Sequence, residues 1–180
     1  MKREIIQTLD GSTTIHLEEW GECYHSKHGA IQEAKHVFIQ NGFSLFDNKP
    51  ISILEIGFGT GLNAFITFLE ANKKQQHINY VGVEAYPVAA NEVLMMNYVE
   101  ELGADEYNSV FKNMHESNWD ETISINDLFT LTKRKQFFQE IDDVEIFDLI
   151  YFDAFGYQVQ PELWSTDIFR RMYTALKPNG

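Results

Sequence analysis

Residues 53–63 read Ile-Leu-Glu-Ile-Gly-Phe-Gly-Thr-Gly-Leu-Asn, an apolar run that closes on an acid, three alternating glycines and the opening of a helix. Ile51, Ile53, Leu54 and Ile56 form the short, partly β-branched series that a central parallel strand needs, and Leu62, Phe65, Ile66 and Leu69 follow at helical spacing. Gly57, Gly59 and Gly61 therefore fall at the carboxyl edge of a strand. There, positive φ and the missing Cβ let a ligand approach the backbone, while the helix starting near Leu62 offers N–H groups without partners in its own first turn. Strand, glycine turn and helix in this order cradle a nucleoside cofactor.

The spacing is Gly-x-Gly-x-Gly, whereas the dinucleotide fingerprint is Gly-x-Gly-x-x-Gly, and Glu55 just before the turn would repel a pyrophosphate. A cation without phosphate suits it better. S-adenosyl-L-methionine, with a sulfonium and an ammonium, is the expected cofactor, and a nicotinamide-dependent oxidoreductase is disfavoured.

Two further strands are expected to end in acids. Tyr80 to Ala85 is an apolar run that reaches Glu84, 25 residues beyond Gly59, where a carboxylate can accept hydrogen bonds from both ribose hydroxyls. Phe147 to Phe152 delivers Asp153, followed by Ala154, Phe155, Gly156 and Tyr157. With another strand within Leu128 to Thr132, these units predict a doubly wound, Rossmann-like α/β fold in which Glu55, Glu84 and Asp153 gather around one crevice at the strand ends.

Around this centre, residues 1–22 predict a hairpin about Asp10-Gly11, and 23–180 the main domain. Gly29 to Gln40 reads as a helix with Ile31, Ala34, Val37 and Phe38 inward and Asn41-Gly42 as its stop. Val88 to Leu102 reads as helical, and Phe111 to Asp127 as polar and irregular around His115 and Trp119. Pro161 to Leu176 reads as a helix with Trp164, Ile168, Phe169, Met172 and Leu176 inward. The last residues stand where such a domain would begin its next strand. The expectation is a domain lacking its closing strands, with the 147–152 strand at or near an edge.

The chain has 180 residues, enough for one domain with a core of its own, and a formal net charge of −13. That charge argues against broad phosphate neutralisation. Residues 100–127 deepen it, with eight Asp or Glu against Lys112, as a solvated surface would. Cys23, the single cysteine, excludes an internal disulfide; with His25 and His28 it makes too small a soft-ligand set for zinc, so no metal is expected. Without a signal peptide or an apolar run of membrane length, the expected location is the cytoplasm.

Several segments together are specific: Tyr24-His25-Ser26 with Gly29, Glu33 and Val37-Phe38; Glu55 to Asn63; Val83-Glu84 with Pro87; and Phe152-Asp153-Ala154-Phe155 followed by Pro161, Trp164 and Phe169. On these the chain resembles, over most of residues 20–180, the MnmC-like methyltransferases in their stand-alone MnmD form. That family methylates 5-aminomethyluridine derivatives at the wobble position of tRNA. The resemblance implies cofactor contacts at Glu55, Gly57, Gly59, Thr60, Gly61, Asn63 and Glu84, and substrate contacts at Tyr24, Ser26, Glu33, Phe155 and Tyr157. It also implies tRNA as partner and a separate FAD-dependent oxidase acting upstream. Where the family usually carries Gly-Asp after its third strand, at the adenine site, this chain has Gln136-Phe137.

Methyl transfer to an amine is an in-line displacement that needs a neutral nitrogen about 3 Å from the methyl and no competing water. A carboxylate beside the nitrogen can accept its proton, and Asp153 is the expected catalytic residue. Phe155 and Tyr157 are expected to stack on an extruded base. Ser26 also reads as the N-cap of the following helix, Glu33 as a residue of its polar face and Trp164 as a core anchor. Two alternatives remain at this stage: a polyamine-synthase-like aminopropyltransferase, which would need more acids to hold a diamine, and a non-catalytic cofactor-binding fragment.

Overall fold

The computed structural model describes residues 2–47 and 49–180. Strands β4 (Ile51–Ile56), β5 (Ile78–Val83), β6 (Thr122–Asn126), β7 (Phe129–Arg134) and β8 (Leu149–Phe152) form one sheet in the order β6-β7-β5-β4-β8. All neighbours pair parallel except β6 with β7. From β4 the chain moves outward through β5 to β7 and then returns to the other side of β4 with β8. The winding direction thus reverses at β4, and a crevice opens at the carboxyl ends of β4 and β8.

Alternation along the strands sends side chains into two separate cores. Ile51, Ile53, Tyr80, Leu131 and Tyr151 pack under helix α1 (Ala30–Ala34), helix α2 (Leu62–Lys74) and helix α5 (Asn108–Glu116). Leu54, Ile56, Val81 and Val83 face the opposite way, toward Phe147, Leu163, Ile168 and Met172, the last two from helix α6 (Thr166–Ala175). Burial on both faces is what a parallel sheet requires, so the Rossmann-like reading of the glycine segment holds.

The hairpin at the N-terminus is also present, as β1 (Arg3–Gln7) and β2 (Thr13–Leu17), and gains a short third strand, β3 (Glu22–Cys23). Its turn does more than reverse the chain. Helix α1 has no side-chain cap at Gly29, and its first amides are taken instead by the hairpin: Gln32 N donates to Asp10 Oδ2 at 2.9 Å and Ala30 N to Ser12 Oγ at 3.2 Å. A Cβ on Gly29 would lie 2.6 Å from Asp10 Oδ2, so glycine is what lets the turn come this close.

Four local expectations are corrected. Residues Lys35–Gln40 form a π-helical continuation of α1; the wider turn moves the inward position from Val37, which is 45% exposed, to Ile39. Val88 to Leu102 breaks into helices α3 (Ala90–Val93) and α4 (Tyr98–Glu101). The segment read as irregular, Phe111 to Asp127, takes in the last two turns of α5, anchored by Phe111 and Met114, and the antiparallel edge strand β6. Finally, Pro161–Trp164 is a 3-10 turn, after which Ser165 caps α6 through Ile168 N. This restart sets the helix phase, burying Ile168, Met172 and Ala175 and leaving Trp164 and Phe169 partly exposed.

The cap supplied by the hairpin is open to test. Burial acts to raise the Asp10 carboxyl, but hydrogen bonds from Ser12, Gln32 and Thr8 outweigh it and hold the group below its ordinary value of 3.8. Asp10→Ala should cost about 1 kcal/mol in urea unfolding near neutral pH. That difference should shrink as pH falls below 3.8 and through the depressed value, because protonation removes the same interaction from the wild type.

Candidate active site

The glycine turn is pinned by its neighbours. Gly57 N and Phe58 N both donate to the Val83 carbonyl at 3.0 Å, and Gly59 N donates to Glu84 Oε2 at 3.0 Å. On the other flank Asp153 N donates to Ile56 O at 2.9 Å. Gly57 has φ +90°, and a Cβ there would sit 2.5 Å from the Asp153 carbonyl. Glycine at this position therefore serves the approach of the β8 end to the β4 end.

Beside the turn lies a cavity of about 1030 Å³. Its floor includes Gly57, Gly59, Asn63, Glu84 and Asp153. Its roof comes from the N-terminal sheet and the segment after it, where Trp20, Tyr24, Ser26 and Glu33 also face the cavity, together with Phe155. Trp20 and Tyr24 each meet Phe155 edge to face, with ring centroids 5.3 and 5.1 Å apart. At the far end Tyr86 and Phe137 are in T-shaped contact at 5.9 Å.

Four residues singled out from the sequence stand apart from the lining. Tyr157 is 66% exposed. Glu55 is fully buried beneath α2. Thr60 is buried in a polar knot, accepting from the Tyr98 hydroxyl at 3.0 Å and giving its carbonyl to His115 Nε2 at 3.1 Å. Gly61 lies against the same His115, whose Nε2 would be 2.8 Å from a Cβ there. Burial, with Lys133 nearby, pushes the His115 imidazole down to about 4, so it is neutral at ordinary pH.

Other candidates have defined partners. Ser26 Oγ accepts from His28 N at 3.1 Å, so it caps a turn ahead of α1 and not α1 itself, while Ser26 N donates to Glu33 Oε2 at 2.7 Å. Burial raises the Tyr24 hydroxyl to about 12, and the ring carries the Arg3 guanidinium 5.8 Å from its centroid. Both Glu84 oxygens meet backbone amides, Oε2 that of Gly59 and Oε1 that of Tyr86 at 2.9 Å. Each oxygen retains a second lone pair for a ligand.

The electrostatics centre on Asp153. Burial raises its carboxyl to about 7, Glu33 adds to the rise, and the hydrogen bond from Asn63 Nδ2, 2.8 Å long, opposes it. A carboxyl that half-titrates near neutrality at a cavity wall is suited to proton transfer. The surrounding carboxylates Glu33 and Glu84 favour a cationic guest. Among the described residues no three His, Cys, Asp or Glu side chains converge as metal ligands, and no helix is long and apolar enough to cross a membrane.

Sequence reasoning missed Trp20, Tyr86 and Phe137 as lining residues. Trp20 lies on a turn between β2 and β3 with no periodicity to mark it. Phe137 stands in the Gln136-Phe137 pair that replaces the family's Gly-Asp, a departure that gave no sign of its place in the lining.

This geometry is that of a Rossmann-like α/β fold, consistent with the methyltransferase type. Residues 97–180 match a family model described as S-adenosyl-L-methionine-dependent methyltransferase. The tRNA 5-methylaminomethyl-2-thiouridine biosynthesis bifunctional protein MnmC of Delftia acidovorans is 30% identical over 180 residues, covering 88% of this chain and 26% of that protein. Its counterpart from an Acidovorax species is 27% identical over 181 residues, covering 89% and 27%. The crystal structure of MNMC2 from Aquifex aeolicus superposes with a TM-score of 0.75 at 24% identity, covering 99% of this chain and 58% of that one. The chain is similar to the MnmC proteins over most of its own length, and it spans about a quarter of the length of the curated relatives it matches.

Gly57→Ala tests the close approach of the strand ends. The positive φ alone should cost about 1–2 kcal/mol, and the Cβ must also displace the Asp153 backbone. We expect a lower urea midpoint together with a changed Asp153 titration; an unaltered protein in both respects would show that the contact is slack.

Proposed function

We propose that this chain is an S-adenosyl-L-methionine-dependent methyltransferase that acts on the aminomethyl group of a modified wobble uridine in tRNA. The observation that carries the reading is the Asp153 carboxyl, raised to about 7 and set in a cavity wall between the glycine turn and an aromatic cluster. The names of the homologues, which concern 5-methylaminomethyl-2-thiouridine in tRNA, supply the substrate class.

The residues fit the cofactor. Glu84 keeps lone pairs for ribose hydroxyls, Glu33 and Asp153 complement positive charge, and Tyr86 with Phe137 offers flat apolar surface at the far end. The volume is at the upper end of the range of about 300–1,000 Å³ usual for small-molecule sites, leaving space for a base beside the cofactor. When bound, the cofactor supplies a methyl group on a sulfonium.

An alkylamine is mostly protonated at neutral pH and must lose a proton to attack. In this reading the Asp153 carboxylate accepts the proton that the nitrogen gives up; the methyl would come from the cofactor's sulfonium by cleavage of its carbon–sulfur bond, the remainder leaving as a neutral thioether. Tyr24 and Phe155 hold the extruded base and exclude water from the reacting nitrogen, and Ser26 and Glu33 frame the same side. Gly57, Gly59 and Asn63 line the cofactor side. A tRNA substrate makes the cytoplasm the place of action, and the reading expects an FAD-dependent oxidase acting upstream as a separate protein. Reading one extruded base requires few phosphate contacts, which is compatible with a net charge of −13.

The decisive experiment supplies the protein with labelled cofactor and tRNA lacking the final wobble methyl. Label should appear on the aminomethyl nitrogen; no transfer to that tRNA, by protein that binds the cofactor, refutes the substrate. The rate should fall as pH drops below about 7, where Asp153 takes up a proton, with the midpoint lowered when a cation occupies the site. Asp153→Asn should slow transfer by about 10²–10⁴-fold, the usual worth of a general base, while cofactor uptake persists in calorimetry.

A further inference from the structure

Glu55 was expected to meet a cation, yet it lies sealed under α2 with its carboxyl beside that of Asp153. The two acids share one donor. Asn63, in the first turn of α2, gives one amide hydrogen to Glu55 Oε1 at 2.9 Å and the other to Asp153 Oδ2 at 2.8 Å. This fixes the amide orientation, since a reversed group would point its oxygen at two carboxyls.

The groups around Glu55 come from every element packed on it. They are Asn63 from α2, Tyr80 from β5, Tyr151 from β8, Asp153 just beyond β8 and Glu84 just beyond β5. None is a cation. Glu55 Oε2 and the Tyr80 hydroxyl, which projects from the same face of the neighbouring strand, have no well-formed hydrogen bond to any other group and interact with each other. Two ionised carboxylates on one amide, with no cation among the groups that face them, would be strongly disfavoured. The fully enclosed member of the pair is the one that keeps a proton.

We propose that Glu55 is a positioning residue held as the uncharged carboxylic acid, and that through Asn63 it fixes the carboxylate of Asp153 at the cavity wall. Its proton lies on Oε2, on the side of Tyr80. Burial first, and the Asp153 charge second, raise this carboxyl well above its ordinary range, in keeping with the geometry. The inference concerns the site of the proposed methyl transfer but is read on the protein alone, so the two stand or fall separately.

Infrared difference spectra of the isolated protein test it. At about pH 9, where ordinary carboxyls are ionised, wild type should retain one protonated-carboxyl band. That band should vanish in Glu55→Gln and survive in Asp153→Asn. A second band, from Asp153, should grow as pH is lowered through about 7. Its midpoint should be the same in Glu55→Gln, which exchanges one neutral group for another of its shape, and higher in Asn63→Ala, which loses the donor. No band in wild type at about pH 9 overturns the proposal, as does a midpoint lower by one unit or more in Glu55→Gln. If Glu55→Gln fails to fold, the wild-type spectrum decides.

Discussion

The close meeting of two strand ends, β4 and β8, is the constraint on which the arrangement of the site rests. At Gly57 the backbone turns with positive φ because the Asp153 carbonyl occupies the space a side chain would need, and Asp153 N is bonded to Ile56 O. With the Val83 carbonyl holding the next amides, three strands fix the turn. Everything placed relative to that turn inherits its rigidity: Asn63 at the start of α2, Glu84 at the end of β5 and the carboxyl of Asp153.

The glycines of this chain have two kinds of neighbour. Gly57 and Gly59 leave backbone accessible along the cavity. Where a side chain would project, the turn glycines admit other parts of the protein: Asp153 at Gly57, the Tyr24 ring at Gly59 and His115 at Gly61. The glycine pattern is therefore as much a packing device between the sheet, the roof and α5 as it is a cradle.

Much of this could be read from residue order. The apolar run at 51–56, the glycines and the helical spacing after Leu62 mark a buried strand and its helix without any tertiary knowledge, and Glu84 and Asp153 are identifiable as acids just past strand ends. The inward burial of Glu55 was harder to see. Strand alternation puts it on one face with Ile53, but only the packing of α2 decides that this face is closed. Trp164 and Phe169 were misplaced for a similar reason: Pro161–Trp164 is a separate 3-10 turn and α6 starts only after Ser165, so its buried stripe of Ile168, Met172 and Ala175 includes neither ring. Trp20 carries no pattern at all, since its role depends on where a three-stranded sheet lands.

The hairpin caps the helix that carries Glu33, and the same sheet roofs the cavity. Peeling the roof away would strip the helix of the acceptors that satisfy its leading amides. The roof and the first turn of that helix are consequently held by the same two side chains, Asp10 and Ser12.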